Sequence, residues 1–310
     1  MRVPLPAAMM TTFSAMGSNL SRTGLRVAII GLALVVLAGC SALRLGYDRG
    51  PLLARWWLDR YVDFDDTQLP VVKDGLGQWF TWHRSTQMPD YAQLLARLRE
   101  EAVQPTTAEQ MCRWGDELRR RAVLATEALL PQAARVVPLL TTAQIDELQA
   151  RFDKRNAEFR KKVVQPRPDE RRRESVKRTV ERIEDFYGRL DGAQRQLVAA
   201  SLEASPFDAD AWYAGRQAQQ REMVDTLRRL QAERADRERV LVALRALHAR
   251  LTEPPPPDPQ SPAQRLLRHN CDFAARLHNS TTAAQRQHLR DKLGGWEGDV
   301  RTLVAVRGGV

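Results

Sequence analysis

Three cysteines in 310 residues are too few to staple a small secreted scaffold. No apolar run reaches the roughly 20 residues of a membrane-spanning helix. The most prominent one, "VAIIGLALVVLAG" at 27–39, has 13 residues. Val and Ile do not alternate with polar residues over four or more positions, which argues against a sheet. There is no HExxH, no Gly-x-Ser-x-Gly elbow, no phosphate loop and no dinucleotide fingerprint. Acidic residues are missing altogether from residues 1–39. These absences leave a helical chain without a recognisable catalytic constellation, cofactor site or metal site, and we expect it not to be an enzyme.

What is present begins at the N-terminus. Arg22 and Arg26 precede the short apolar run, and small residues follow it, as in a secretory signal peptide over residues 1–39. Met10 or Met16 is a candidate true start. "LAGC" at 37–40 resembles the bacterial lipobox. That resemblance implies removal of residues 1–39, a diacylglycerol on Cys40 and an acyl chain such as palmitate on its new amino group. Ser41, rather than Asp, follows the cysteine. By resemblance to sorted lipoproteins, this implies the outer membrane of a Gram-negative bacterium, with the protein facing the periplasm. Three of the 48 basic residues precede Cys40 and no acidic one does, so the mature chain carries 45 basic against 38 acidic residues, a net of +7.

The remaining thiols, Cys112 and Cys271, are an even pair in an oxidising compartment. They either form a disulfide or remain two separate buried thiols, because spacing alone does not show proximity.

Everything after Cys40 reads as helix. Pro51 opens a helix with Leu52, Leu53, Trp56, Trp57 and Tyr61 on one broad apolar face. Asp65 or Asp66 can cap the next helix, and Pro89 begins another that runs through Glu100. "TAEQ" at 107–110, "TTAQ" at 141–144, "DGAQ" at 191–194 and "TAAQ" at 282–285 each set Thr or Asp three residues before Gln, the pattern of a capping box. Helices are expected at 108–130, 142–163, 169–188, 192–204, 208–251, 262–279 and 283–306. The reading is an all-α multi-helix bundle with one long helix, about 208–251. The domains are then the signal peptide (1–39), a helical domain (40–252), a Pro-rich linker at "EPPPPDPQSP" (253–262) and a C-terminal helical pair (263–310).

The segments "LGYDRGPLLARWWLDRYVDFDD" and "WFTWHRSTQMPDYAQLLARL", and then "NAEFR", "GRLDGAQR" and "SPFDADAWYAGR", resemble a family of uncharacterised proteobacterial lipoproteins with a domain of unknown function. The likeness covers most of residues 40–230. It implies an exported, lipid-anchored helical protein and no known catalytic residue. "LTTAQ" at 140–144 also resembles the Leu-Thr-x-x-Gln motif of small periplasmic chaperones related to spheroplast protein Y. "LDGAQ" at 190–194 departs from it by Asp for Thr.

Two clusters could carry chemistry. Asp59, Asp63, Asp65 and Asp66 suit capping and ion pairing with Arg55 and Arg60 better than acid–base work. His83 in "WFTWHR" reads as a packed histidine, and "HNC" at 269–271 lacks a second pair of metal ligands. The basic stretch 151–182 is more telling, with thirteen Lys and Arg against six Asp and Glu. Export makes nucleic acid an unsuitable partner. Arg160, Lys161, Lys162, Arg171, Arg172, Arg173, Lys177 and Arg178 are candidates to bind an anionic lipid or lipopolysaccharide, or else form a solvated face laced with ion pairs. The expected function is a non-enzymatic scaffold or chaperone-like binder of other envelope proteins. A binder of anionic lipid or glycan through residues 151–182 is the alternative.

Overall fold

Proline and side-chain caps fix where the helices begin. The computed structural model describes residues 43–165, 167–254 and 258–305, and contains no strand among them. Residues 43–48 form α1. Then follow α2 (Gly50–Val62), α3 (Leu69–Trp82), a π turn at His83–Gln87, α4 (Met88–Glu101), α5 (Ala108–Glu127), α6 (Leu130–Val136) and α7 (Thr142–Phe159). After a second π turn at Arg160–Val164 come α8 (Pro168–Tyr187), α9 (Gly192–Glu203), α10 (Ala209–Ala232), α11 (Arg237–Thr252), α12 (Pro262–Asn279) and α13 (Ala283–Ala305). Pro sits in the first turn of α2, α3, α4, α6, α8 and α12, where its missing N–H would have had no intrahelical partner anyway. The expected signal peptide, Cys40, the side chain of Lys162 and the centre of the Pro-rich linker lie outside the described residues.

The long helix expected over 208–251 is two helices. Leu230 N-terminal to the break and Ala235 after it are both buried, and the chain turns sharply between them. Arg234 takes a left-handed conformation at φ 48°. Its N–H donates to the Gln231 carbonyl, and the Ala235 N–H donates to the Leu230 carbonyl, both at 3.0 Å. This is a Schellman termination. Asp236 then caps α11 by accepting from the Arg239 N–H at 2.9 Å. Glycine usually marks such a stop, and an arginine here hides it. The helix expected over 108–130 likewise ends at Glu127, and Pro131 starts α6 separately.

Three of the four expected capping boxes close in full, at 141–144, 191–194 and 282–285. At 107–110 the Thr107 hydroxyl accepts from the Gln110 N–H, but the Gln110 amide turns to Glu101. A further reciprocal pair forms at 65–68. There Asp65 accepts from the Gln68 N–H at 3.0 Å, and Gln68 accepts from the Asp65 N–H at 3.1 Å.

These boxes hold the architecture together in pairs. The Gln68 and Gln144 amides exchange hydrogen bonds at 2.9 and 2.7 Å, so the start of α3 is tied to the start of α7. The Gln194 and Gln285 amides do the same at 2.8 and 2.9 Å, tying α9 to α13. Each glutamine also donates to a carbonyl five residues before its partner: Gln68 to Leu139, Gln144 to Asp63, Gln194 to Ser280 and Gln285 to Arg189. Gln68 and Gln194 are almost completely buried, so the bonds of their own amides replace lost water.

The packing around the two junctions matches helix for helix. In the first, α2 packs on α3 and α7, and α3 on α6. In the second, α8 packs on α9 and α13, and α9 on α12. Each half places its middle pair of helices on the other half. Thus α4 packs on α13 and α5 on α12, while α10 packs on α7 and α11 on α6. The described residues are therefore two six-helix halves, α2–α7 and α8–α13, with exchanged central pairs. The C-terminal helices complete the second half. They pack on α4, α5, α8 and α9 rather than chiefly on each other, so the Pro-rich stretch joins α11 to α12 within one compact unit that starts at Leu43.

Each interface has its own apolar cluster. Met88 and Ala92 meet Val300 and Leu303 between α4 and α13. Ala134 meets Val240 and Leu244 between α6 and α11, across from Leu230 and Ala235. Ile145 and Leu148 meet Val224 and Leu227 between α7 and α10. A side chain of this size contributes about 1.5–3 kcal/mol on full burial. Between α5 and α12 the contact is covalent: Cys112 and Cys271 form a disulfide with Cα atoms 5.3 Å apart.

Candidate functional site: an apolar groove beside the first helix

The N-terminal segment, α4, α5 and α13 leave a groove of 410 Å³ between them, and its lining is almost wholly apolar. Leu43 and Tyr47 come from α1, Tyr91 and Leu95 from α4, Leu118 from α5, and Trp296 and Leu303 from α13. Leu118 and Leu43 are exposed at its edge. Arg121 stands at the rim, held by Asp90 at 3.0 Å and Glu117 at 2.8 Å, with its guanidinium 5.8 Å from the Tyr91 ring. The site is therefore shaped for an apolar side chain or chain segment, with the Arg121 ion pairs at its rim.

One wall of the groove is a hydrogen-bonded row. His83 Nδ1 lies 2.9 Å from the Tyr47 hydroxyl, and His83 Nε2 lies 3.3 Å from the Tyr91 hydroxyl. Trp79 stacks on the imidazole at 4.7 Å. Burial lowers the His83 pKa to about 4 and raises that of Tyr47 to about 12. The imidazole is thus neutral at physiological pH, and the row fixes both tyrosine rings as walls. A second buried histidine works the same way. His278 Nε2 faces the Gln104 carbonyl at 2.8 Å and must carry the proton, so Nδ1 accepts from the Tyr187 hydroxyl at 2.8 Å.

The acidic cluster does local work. Asp59 accepts from the Phe64 N–H, Asp65 accepts from Thr67 and Gln68, and Asp63 ends α2 in a left-handed conformation. His269 bonds the Ser201 carbonyl at 2.9 Å, and its neighbour Cys271 is in the disulfide. Among the described residues no group of three or more His, Cys, Asp or Glu could hold a metal ion. No single described helix is long and apolar enough to cross a membrane.

The basic candidates divide. Arg172 pairs with Glu203 on α9 at 2.8 Å, Arg173 with Asp169, and Arg178 with Glu174. Arg171 donates to the Val164 carbonyl. Arg160, Lys161 and Lys177 are exposed. Arg160 and Lys161 lie in the π turn and Lys177 on α8. Sequence reasoning missed the groove, because its residues come from four helices and follow no local motif.

The chain matches the model of a family of unknown function, DUF6279, over residues 60–247, and it belongs to that family. The match spans α3 to α11 but stops before α12 and α13, which complete the second half. No curated protein and no solved structure matches the chain.

Proposed function

We propose that this member of DUF6279 is a non-enzymatic, lipid-anchored protein of the Gram-negative cell envelope that binds other envelope proteins, as a scaffold or chaperone-like clamp. Residues 1–39 are its signal peptide, and Cys40 carries its lipid at the outer membrane, facing the periplasm. The observation that supports protein binding is the apolar groove with Arg121 at its rim. Apolar recesses rimmed by polar groups are where soluble proteins bind partners. The paired helix starts, of the Leu-Thr-x-x-Gln kind at 140–144, support a chaperone-like frame. The alternative, an anion-binding face over 151–182, is less well supported, because half of its candidate residues already have protein partners.

The test is suppression of aggregation. The purified protein should delay aggregation of a urea-unfolded test protein on dilution, and Leu118→Glu should remove that effect while leaving the helical circular dichroism unchanged. Equal protection by the variant and the parent would overturn binding at the groove.

A further inference from the structure

The first two helices carry an apolar face whose large side chains are exposed among the described residues. Leu45, Leu52, Leu53, Trp56 and Trp57 are all exposed, with Trp56 at 58% and Trp57 at 52%. Together with Arg49 and Arg60 they recur at the spacing of one helical stripe. No residue of α2 is buried, although the helix packs on α3 and α7 through its other side. The charges on the stripe are both arginines. The Arg60 guanidinium lies 4.9 Å from the Trp56 ring, so its stem runs along the apolar surface. Three acids border the stripe: Asp48 is engaged by Arg84 at 2.6 Å, Asp59 accepts from the Phe64 N–H, and Asp63 is exposed at the end of the helix.

The fold does not require this chemistry. Counting back from Gln68 and Gln194, Leu52 and Trp56 occupy the positions of Arg178 and Arg182 on α8. Those equivalents are exposed too, and they are charged. Leu53 and Trp57 fall on Thr179 and on Ile183, which packs in the core of the second half, so at two of the four positions an exposed charge in one half is an exposed apolar side chain in the other. Indole rings beside arginine on an exposed helix face are the composition of the membrane–water interface.

We propose that α2 lies on the bilayer that holds the lipid of Cys40, with Leu52, Leu53, Trp56 and Trp57 in the headgroup region and Arg49 and Arg60 on lipid phosphates. This rests on the lipid-anchor reading above. Chain length favours a bilayer as the occupant. Five residue steps lead from Cys40 to Leu45, which limits their separation to about 18 Å. At 1.5 Å per residue, α2 is about 20 Å long, enough to lie flat beside the anchor. One acylated residue gives marginal binding for each chain, so a second contact of this kind would fix the orientation of the protein on the surface.

The full acylated protein is reconstituted into phosphatidylethanolamine–phosphatidylglycerol vesicles that contain phosphatidylcholine brominated in its acyl chains, and tryptophan quenching is read. Intact mass is measured on the same sample. Lipid-dependent quenching is expected in the parent and should be lost in the Trp56→Phe/Trp57→Phe variant. In a second variant, Leu52→Gln/Leu53→Gln, the indoles remain, and quenching should weaken. A lipidated Cys40 with no quenching, or with quenching equal in the parent and the Phe variant, overturns the inference and leaves the anchor reading standing. Crosslinking of position 57 to a second copy without quenching also overturns it in favour of a dimer. An unlipidated Cys40 in the native host overturns both.

Discussion

Tyr61 and Tyr187 each stand seven residues before a junction glutamine, and each closes the first helix of its half. Their surroundings differ. Tyr61 packs among Trp57, Phe152 and Val137. Tyr187 donates to His278, which occupies the place of Val137 when counted from Gln144 and Gln285. The α5–α12 contact is a disulfide, and its counterpart between α11 and α6 is a cluster of Ala134, Val240 and Leu244. Leu52 and Trp56 are exposed on α2 where α8 has the exposed Arg178 and Arg182. What the halves share is the placing of helix starts by buried amide pairs. What fills the space between the helices, and what coats them, has diverged. The plan of the fold thus resides in a few polar groups that must be satisfied, while many apolar combinations serve as filling.

The disulfide is the strongest point at which to break the comparison. It closes a loop between residues 159 apart in sequence, so its loss frees the denatured chain by about 4–5 kcal/mol in the chain-entropy account. Cys112→Ser/Cys271→Ser should show this as a fall in the urea midpoint. Reductant should have no effect on the variant, and amide exchange should rise first at α5 and α12, with α6 and α11 following only on global unfolding. Loss of protection at α6 and α11 as early as at α5 would mean that the two contacts between the halves do not open separately.

The glutamine junctions test the likeness itself. Replacing Gln68 or Gln194 by Ala removes a buried amide and leaves a half-buried partner amide and a carbonyl without their bonds, a cost of about 1 kcal/mol or more. Equal losses in the two variants, read from denaturant curves with unchanged slope, support one plan used twice. A near-zero cost at either site would show that its junction is incidental.

Much of this was legible in the sequence because caps and prolines are local. Thr141, Asp191 and Thr282 announce their helices by spacing alone, and all twelve helices α2–α13 start with a Pro in the first turn or a capping side chain. The pairing of those starts was not legible. Gln68 meets Gln144, and Gln194 meets Gln285, across 76 and 91 residues, and nothing in "DDTQ" or "TAAQ" names its partner. The groove was hidden for the same reason. The exposure of Trp56 and Trp57 was hidden by their type, since an apolar helical face is ordinarily read as core.

The break between α10 and α11 offers the finest comparison. In the first half the matching connection, between α4 and α5, contains Pro105 and the cap Thr107. In the second it is Glu233, Arg234 and Ala235 before the cap Asp236, with neither Gly nor Pro. Arg234 bears the cost of the left-handed conformation, because its Cβ crowds the neighbouring carbonyl. Arg234→Gly should therefore stabilise the protein by about 0.5–1 kcal/mol, relief of that crowding outweighing the added freedom of the unfolded chain. Thermal denaturation of the full chain reads the change. Destabilisation instead would mean that α10 and α11 form one helix in solution, since glycine costs about 1 kcal/mol in a helix interior. The sign of this small effect separates a real stop from a continuous helix.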